Sequence, residues 1–291
     1  MADLASLASL DSAFWRRAAR FGARGPTWFA RYSPPVIGVA ICAFASDHRR
    51  VIASNLKRVR GPCSPLRDSV DVARTFATYA SCLAEVLAGD VPGEEPARAF
   101  VLGEGHVDAA LADGRGIIFA TAHTAGWEAV GRLVWPDKGL KVMIVETPER
   151  DAAARAIQDE ARRAIGVVVT HVGSDPFSAL PLVRHLREGG AVALQVDRCP
   201  AGLRGRAVRM FGEDARIPEG PLRLSALTEA PIVPLFTGRI GHRRYKIVAY
   251  PSIRIGRHAD EVAFDAGAQQ LADAIQDFVR SHPTQWFHFV T

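Results

Sequence analysis

The hydrophobic pattern changes character at about residue 99. Before that point, Ala-, Leu- and Arg-rich runs with helical spacing predict helices and no convincing strand. The helices predicted in this part are Asp11–Phe21, Val36–Ala45, Asp47–Val59 and Pro65–Leu87. Gly-Pro or Pro-Gly pairs follow several of these runs, as is typical of turns between helices. The N-terminal third is therefore predicted to be helical.

From Ala99 onward, short β-rich runs alternate with amphipathic stretches. The predicted strands are Phe100–Leu102, Gly116–Ala122, Lys141–Glu146, Val167–His171, Ala191–Asp197, Ile232–Thr237 and Tyr245–Ala249. The predicted helices between and after them are Val107–Asp113, Gly126–Val134, Asp151–Ile165, Asp175–Glu188, Glu219–Thr228 and Phe264–Ser281. This alternation predicts βαβ units and a largely parallel sheet. The near-continuous apolar strand Gly116–Ala122 indicates that the sheet is covered on both faces.

The predicted fold class is therefore α/β, with a mostly parallel central sheet flanked by helices and an N-terminal helical region. We expect residues 1–95 to form a helical, membrane-associating region and residues 96–291 to form one compact catalytic region. Hydrophobic residues make up 48% of the 291 and charged residues 23%, which excludes a disordered or coiled-coil chain. The formal net charge of +5 favours anionic partners, such as phosphate, a membrane surface or nucleic acid.

Cysteine and histidine spacing argues against metal chemistry. The four cysteines are scattered without a Cys-x-x-Cys spacing, and the histidines form no i, i+4 pair, so we expect no metal and reduced thiols in a cytoplasmic setting. No Walker loop is present, and Gly103-Glu104-Gly105 lacks the third glycine of a dinucleotide fingerprint, so no cofactor is expected. Met1–Asp11 contains no basic residue, which argues against a secretory signal.

The most apolar segment of the chain is Val36–Ala45. The uncharged window around it, Tyr32–Ser46, is shorter than the ~20 residues that span a bilayer. Pro34 and Pro35 occupy positions where a first helical turn tolerates proline. Flanking arginines suit a helix that dips into an anionic membrane surface, and a core helix is an equally good interpretation.

In a parallel sheet, chemistry gathers in the loops after the carboxyl ends of strands. The first such loop is Thr121–Glu128, with His123 at the end of a strong strand. His123 and Glu128 can meet only if His123 lies in the turn and Glu128 in the first turn of the following helix. A carboxylate on one imidazole nitrogen would fix the tautomer and let the other nitrogen accept a proton. We expect the small residues Ala125 and Gly126 to leave room for a substrate. A purely structural role for the pair stays open at this point.

Two further loops carry charged residues at strand ends. Leu194–Arg198 ends in Asp197 and Arg198, which are costly to bury unless paired, so they form a structural ion pair or belong to a site. Glu146 closes another strand and could reach the same crevice, or it is a solvated loop acid.

A run of arginines begins at Arg198. It continues with Arg204, Arg206, Arg209 and Arg216 around a predicted strand-and-turn segment, Met210–Gly220. Arginine forks suit phosphate or carboxylate oxygens, which points to a phosphorylated acceptor, a phospholipid surface or an acidic carrier protein. A solvated loop is the alternative. Nucleic acid is disfavoured because stacking aromatics and known nucleic-acid-binding motifs are absent from the sequence.

Taken in order, several segments resemble the bacterial lipid A biosynthesis late acyltransferase family of the lysophospholipid acyltransferase-like superfamily, whose members include an acyltransferase of mannosylated phosphatidylinositol. The matching segments are His123–Glu128, Arg50–Leu56, the helix with Arg74, Phe76 and Glu85, Leu194–Arg198, Phe211-Gly212, Pro218–Pro221, Ala230–Pro234 and His282–Phe287. They cover most of the chain from about Asp47 onward. Their order makes the resemblance specific.

The resemblance implies transfer of a fatty acyl group from an acyl carrier protein or coenzyme A thioester to a hydroxyl of a glycolipid or phospholipid-type acceptor. His123 would be the general base, Glu128 would orient or charge-balance it, and Asp197 would be a second carboxylate nearby. Attack would be direct, without an acyl-enzyme. The residues expected to bind substrate are Arg198, Glu146, Arg204, Arg206 and Trp127.

The N-terminal apolar run is shorter than the spanning helix common in the family. We therefore expect peripheral or shallow insertion at the cytoplasmic face of the inner membrane. Three alternatives stay open: an acyl-thioester hydrolase, an acyltransferase with a soluble acceptor, and a non-catalytic lipid- or carrier-binding protein.

Overall fold

The computed structural model describes residues 25–89, 95–127, 139–146, 168–171, 179–200 and 202–289. Residues 25–89 contain helices and no strand, as predicted. These helices are α1 (Thr27–Phe44), α2 (Ser46–Arg60) and α3 (Pro65–Ala88). The side chain of Ser64 accepts a hydrogen bond from the backbone N–H of Arg67 and so caps α3.

Helix α1 begins nine residues before the predicted start at Val36. Pro34 and Pro35 consequently lie inside the helix and not in its first turn, so that prediction is wrong. The physical reason lies in the packing of α1 on α3. Pro34, Gly38 and Cys42 lie four residues apart and are buried on one face of α1. The packing of this face on α3 stabilises the helix by more than the loss of the two backbone hydrogen bonds that the prolines cannot donate.

Gly38 sets the close approach of these two helices. A Cβ at this position would lie 2.5 Å from the carbonyl oxygen of Phe76 in α3. Among the described helices, none alone has the length and apolar character needed to cross a bilayer. Helices α1 and α2 together have the required length and apolar composition, but they are bent by 101° relative to each other.

The remaining elements alternate as the sequence predicts. The strands are β1 (Arg98–Leu102), β2 (Ile117–Thr121), β3 (Val142–Glu146), β4 (Val168–His171), β5 (Ala191–Gln195), β6 (Gly205–Met210), β7 (Glu213–Pro218), β8 (Ile232–Gly241) and β9 (Arg244–Ala249). The helices are α4 (Glu104–Leu111), α5 (Leu180–Arg187), α6 (Gly220–Thr228) and α7 (Glu261–Ser281), followed by a 3₁₀ turn at Pro283–Gln285.

The main sheet has the strand order β1-β9-β8-β2-β5-β3-β4 within the described residues. Every neighbouring pair is parallel except β8 and β9, so the predicted, mostly parallel α/β fold is confirmed. Strands β1 and β9 run opposite to the other five. Their first residues therefore lie at the same edge of the sheet as the carboxyl ends of β2, β3, β4, β5 and β8. We call this edge the carboxyl edge.

Helices cover both faces of the sheet. All five residues of β2 are buried, as expected for a strand covered on both sides. Ile118 and Ala120 join a core cluster that includes residues of α6 and α7, whereas Ile117 and Phe119 join a second cluster that includes residues of α4.

Strands β6 and β7 form an antiparallel hairpin that is separate from the main sheet. The sequence pattern predicted a strand and a turn over Met210–Gly220. It missed β6 because Arg206 and Arg209 interrupt a short apolar run. The two residues of the hairpin turn, Phe211 and Gly212, both have positive φ angles (53° and 81°). Such angles are typical of a tight hairpin turn.

Some predictions fall outside the described residues. The helices predicted at Asp11–Phe21 and Asp151–Ile165 lie wholly outside them, and the helix at Gly126–Val134 lies mostly outside them. The division at residues 95 and 96 stays a prediction. Contacts do link the two parts, because the side-chain amide of Asn55 in α2 donates a 2.7 Å hydrogen bond to the carbonyl oxygen of His288.

Candidate active site

His123 lies in the tight turn that follows β2. The backbone N–H of Thr124 donates a 2.7 Å hydrogen bond to the carbonyl oxygen of Ala122, which closes this turn. Asp197 follows β5, the parallel neighbour of β2, so the two strand ends place these residues together at the carboxyl edge. His123 Nδ1 lies 2.7 Å from Asp197 Oδ1, and the backbone N–H of His123 donates to the same oxygen at 3.2 Å.

Trp286 occupies the other oxygen of this carboxylate. Its indole N–H donates a 2.9 Å hydrogen bond to Asp197 Oδ2. Burial on its own would raise the pKa of Asp197, but the charge and hydrogen bond of His123 and the charge of Arg198 lower it below its ordinary value. Asp197 is therefore ionised at neutral pH and can only accept hydrogen bonds.

An ionised Asp197 fixes the tautomer of His123. In the neutral imidazole, Nδ1 of His123 carries the proton because the carboxylate has none to give, and Nε2 keeps a free lone pair. The side chain of His123 is 27% exposed and that of Asp197 is fully buried. The imidazole of His123 is thus partly open to solvent, while the charge of Asp197 that holds it is shielded from solvent.

The loop that carries His123 is held in place by residues 282–289, which we call the C-terminal segment. The backbone N–H of Ala125 donates to the carbonyl of Gln285 at 3.0 Å, and the N–H of Phe287 donates to the carbonyl of His123 at 2.6 Å. The guanidinium of Arg198 donates to the carbonyl oxygen of Phe287. The loop and the segment thus pair like short strands, and Arg198 is tied into this frame.

Strand β8 supports the same frame from the side. The hydroxyls of Thr124 and Thr237 lie 3.2 Å apart, and the backbone N–H of Thr237 donates to Thr124 Oγ1. The side-chain amide of Gln285 accepts from the backbone N–H of Arg239 at 2.7 Å and donates to its carbonyl at 3.0 Å. The sequence reasoning assigned no site role to Gln285 or Trp286. The signal that could have found them was their place in the segment that resembles the family.

The expectation that Ala125 and Gly126 leave room for a substrate is wrong. Ala125 is fully buried, and the space beside Gly126 is filled by the ring of Tyr245 from β9. A Cβ on Gly126 would overlap ring carbons of Tyr245, and Gly126 has a φ of 84°. Both observations require glycine here. The small residues therefore serve close packing behind His123.

Tyr245 is fixed by a buried carboxylate, Glu85 of α3. The Tyr245 hydroxyl and the backbone N–H of Arg243 donate to Glu85 Oε2, and the guanidinium of Arg239 donates to Oε1 at 2.7 Å. His242 Nδ1 lies 3.3 Å from the same Oε1. Burial, with the nearby Cys82 and Glu85, raises the pKa of Tyr245 well above its ordinary value. Glu85 therefore links α3 to the strand pair that supports the His123 loop.

His288 lies beside this frame, with its ring edge to face against Trp286 and 4.6 Å between the ring centres. Burial lowers the pKa of His288 to about 4, although the charge of Asp197 opposes this shift. Its Nδ1 is buried without a hydrogen-bond partner among the residues that the structure describes. The imidazole is therefore neutral at pH 7.

Three predicted site residues lie at the limits of the described chain. Glu128 lies outside the described residues, so its part in the site stays a prediction. Glu146 ends β3, next to β5, which places its backbone at the carboxyl edge. Trp127 is partly buried against the core cluster that contains Phe119. Their assignment to catalysis or substrate binding stays a prediction.

The predicted arginines Arg204 and Arg206 belong to the β6–β7 hairpin region. Arg204 is exposed. The guanidinium of Arg206 contacts Glu219 and Glu261 at 2.6 Å and Asp265 at 2.9 Å, and its hydrogen bonds to Glu219 and Asp265 raise its pKa. These contacts account for Arg206 without a substrate. Substrate binding by either arginine stays a prediction.

Within the described part of the chain, no group of three or more His, Cys, Asp or Glu side chains could share a metal ion. What the geometry does provide is an imidazole with one nitrogen held by a buried carboxylate, at the carboxyl edge of a parallel α/β sheet. A carboxylate-held imidazole with its other nitrogen free to accept a proton is typical of the class of enzymes that use acid–base chemistry.

Comparison with known proteins specifies the family. The model of the family described as bacterial lipid A biosynthesis acyltransferase matches residues 21–291, so the chain belongs to this acyltransferase family and the resemblance seen in the sequence is confirmed. A phosphatidylinositol mannoside acyltransferase of Mycobacterium tuberculosis (strain CDC 1551 / Oshkosh) is 29% identical over 186 residues, or 62% of this chain and 55% of the relative. A protein of the same name from Mycolicibacterium smegmatis is 26% identical over 186 residues, or 58% of its length. The matched part is little more than half of each relative.

Proposed function

We propose that this protein transfers a fatty acyl group from an acyl carrier protein or coenzyme A thioester to a hydroxyl of a glycolipid or phospholipid-type acceptor, with His123 as general base. The observation that carries the proposal is the 2.7 Å contact between His123 Nδ1 and the buried carboxylate of Asp197, in a chain of this family. The names of the matched relatives support a glycolipid acceptor.

In the proposed reaction, Nε2 of His123 takes the proton of the acceptor hydroxyl. The oxygen attacks the thioester carbonyl carbon and forms a tetrahedral intermediate. The bond between carbon and sulfur then breaks, and the imidazolium returns its proton to the leaving thiolate. Asp197 stabilises the imidazolium in between, because it is ionised and lies against Nδ1. General base catalysis of this kind contributes about 10²–10⁴-fold in rate.

Direct attack needs no nucleophile from the protein and no cofactor. Asp197, held by Trp286 and by the backbone of His123, keeps the imidazole in one orientation. Preorganisation of this kind lowers the barrier because the site does not have to rearrange as charge develops.

We also propose that the protein attaches peripherally to the cytoplasmic face of the inner membrane through α1. One face of α1 packs on α3, and large apolar side chains elsewhere on the helix are exposed. They include Trp28 (66% exposed), Val36 (68%) and Phe44 (88%). An exposed apolar surface of this kind, flanked by arginines, suits insertion into the boundary between headgroups and acyl chains of an anionic membrane.

The experiment that tests the proposed reaction measures free thiol release from acyl-coenzyme A and acyl-carrier-protein donors, with and without membrane lipid. Wild type is compared with His123→Ala and with His258→Ala, which removes an exposed histidine between β9 and α7. We expect lipid-dependent thiol release, appearance of acylated lipid, loss of both in His123→Ala and retention in His258→Ala. Thiol release that is indifferent to lipid would indicate a hydrolase. Release that survives in His123→Ala would contradict the proposed base.

A further inference from the structure

Two arginines begin neighbouring strands at one end of the sheet. Arg98 is the first residue of β1 and Arg244 is the first residue of β9, and these two residues are direct partners in the parallel register. Both are exposed. Neither has a carboxylate within ion-pair distance among the described residues. Within the described residues, two like charges therefore lie side by side without an ion-paired carboxylate.

The two arginines line a cavity of about 350 Å³. Its other walls include Phe100, Ile240, Tyr245 and Glu95. A volume of this size is within the range of small-molecule sites, and its surface combines apolar groups with a few charged ones, as such sites do. The cavity thus suits an amphipathic ligand with a negative charge.

The position of the cavity connects it with the candidate active site. Because β1 and β9 run opposite to β8, their first residues lie at the carboxyl edge, where His123 and Asp197 also lie. Tyr245 belongs to the cavity wall and also packs against Gly126, three residues after His123. A ligand in the cavity would therefore lie two to three strands to the side of β2 and also beyond its end. Arg244 is paired with Gly241 of β8, seven residues after Pro234, the partner of Ala120.

We propose that Arg98 and Arg244 form a binding site for a phosphate group of a substrate that extends along the carboxyl edge. Like charges placed directly opposite each other destabilise a sheet, and a bound anion removes this cost. Guanidinium groups suit phosphate because their planar fork can donate two hydrogen bonds to neighbouring phosphate oxygens. The phosphate site is argued from the arginines themselves. It rests on the proposed acyl transfer in one respect, which is that the ligand is called a substrate.

Glu95 favours ligands that carry hydroxyl groups close to the phosphate. A carboxylate beside two guanidinium groups cannot bind phosphate itself, but it accepts hydrogen bonds from hydroxyl groups. The set therefore suits a phosphate that carries hydroxyls nearby, as in the inositol headgroup of a phospholipid or the ribose phosphate of coenzyme A. Both supply the same chemistry, and binding measurements separate them.

The test measures equilibrium binding in the His123→Ala background, so that no turnover is needed. The probes are coenzyme A, followed by calorimetry, and phosphatidylcholine vesicles with and without phosphatidylinositol, followed by co-sedimentation. The test variant is Arg98→Gln with Arg244→Gln. The matched control is Arg187→Gln with Arg257→Gln, which removes the same charge at two exposed arginines of α5 and the segment before α7.

We expect the test variant to bind one of the two probes about tenfold more weakly than the control variant does. Loss confined to coenzyme A would assign the site to the acyl donor, and loss confined to phosphatidylinositol vesicles would assign it to a lipid. Equal binding by the two double variants, or no binding of either probe by the parent protein, would overturn the proposal. Arg98→Lys with Arg244→Lys keeps the charges, and its partial binding would show that a weakened test variant has not simply misfolded.

The outcome is separable from that of the proposed function. If wild type releases no thiol from any donor but binding still depends on the two arginines, the phosphate site is supported and the acyl transfer is contradicted. If acyl transfer is observed but the arginine substitutions bind like the control, the acyl transfer is supported and the phosphate site is contradicted.

Discussion

Trp286 and Asp197 are joined by a hydrogen bond from the indole N–H to Oδ2, across 89 positions of sequence. His123 occupies the other oxygen of the same carboxylate. The orientation of His123, the general base that we propose, therefore depends on a tryptophan that contacts the far oxygen of its carboxylate partner. This makes Trp286 a positioning residue.

We expect Trp286→Phe to lower kcat about tenfold with little change in KM, because a hydrogen bond to a charged group is lost while the aromatic packing is largely kept. The pKa of Asp197 should rise as well, because the lost hydrogen bond favours its ionised form. Thiol release measured over a range of substrate concentrations gives kcat and KM separately.

The matched control for this prediction is Tyr250→Phe. It removes another aromatic donor to a carboxylate, since the Tyr250 hydroxyl donates to Asp277 at 2.7 Å, remote from Asp197. Its kcat and KM should match those of wild type. A kcat of Trp286→Phe that also matches wild type would show that the indole N–H has no influence on the base.

Gly126→Ala should destabilise the protein by several kcal/mol. The substitution adds strain at a positive φ and also drives a methyl group into the ring of Tyr245. Gly114→Ala is the control, since Gly114 has a φ of 63° and open space where a methyl group would lie. Chemical denaturation of both variants separates the cost of the backbone strain from the cost of the overlap with Tyr245. Equal losses of unfolding free energy would mean that Tyr245 yields to the methyl group.

His288 predicts a dependence of stability on pH. Its folded pKa of about 4 lies below the ordinary value near 6.5, so the unfolded chain binds the proton more readily. Its contribution to stability is therefore complete above pH 6.5 and is lost as pH falls toward 4. The shift corresponds to about 3 kcal/mol.

Denaturant titrations of wild type and His288→Gln between pH 7 and 4 check this dependence. The variant should show a shallower loss of unfolding free energy over that interval. His258→Gln, which changes an exposed histidine, should follow wild type. Parallel curves for wild type and His288→Gln would show that the imidazole is protonated as easily in the folded state as in the unfolded chain.

Val36→Asp should weaken binding to anionic vesicles, because Val36 is exposed on the face of α1 that we propose to insert. Val262→Asp places the same charge on an equally apolar and similarly exposed side chain of α7, where 73% of Val262 is exposed. Co-sedimentation should therefore drop for the first variant and stay near wild type for the second. A similar drop in both would point to net charge and not to α1.

Glu85→Gln should cost about 3–5 kcal/mol of unfolding free energy. It leaves the largely buried guanidinium of Arg239, whose side chain is 19% exposed, without its anionic partner, and an uncompensated charge of this kind destabilises the folded state. Glu188→Gln breaks an exposed pair with Arg184 and should leave the unfolding midpoint unchanged. Thermal unfolding of the two variants tests the contrast, and equal midpoints would mean that solvent reaches Arg239.

The sequence predicted the sheet because parallel strands covered on both faces are nearly continuous apolar runs, as in β2. It also placed His123 and Asp197 in loops at strand ends, and parallel pairing then brings those ends together. It could not show that Tyr245 fills the space beside Gly126. That contact joins residues 119 positions apart, and no local pattern records it.

The hairpin and the start of α1 were missed for related reasons. In β6, Arg206 pairs with Glu219, which precedes α6, and with acids of α7. Arg209 pairs with Asp214 of β7. The composition of this strand therefore resembled that of a loop. In α1, proline usually marks the first turn, and only the contact with α3 explains two prolines inside the helix. Long-range packing decided both cases.

The pairing of the His123 loop with Gln285 and Phe287 has a consequence for synthesis of the chain. The residues of the loop are synthesised 160 to 164 positions before their hydrogen-bond partners. The loop that carries His123 cannot form these hydrogen bonds until residues 285–287 have been synthesised. A chain that is cut short before this segment therefore lacks the partner that holds the backbone of the loop.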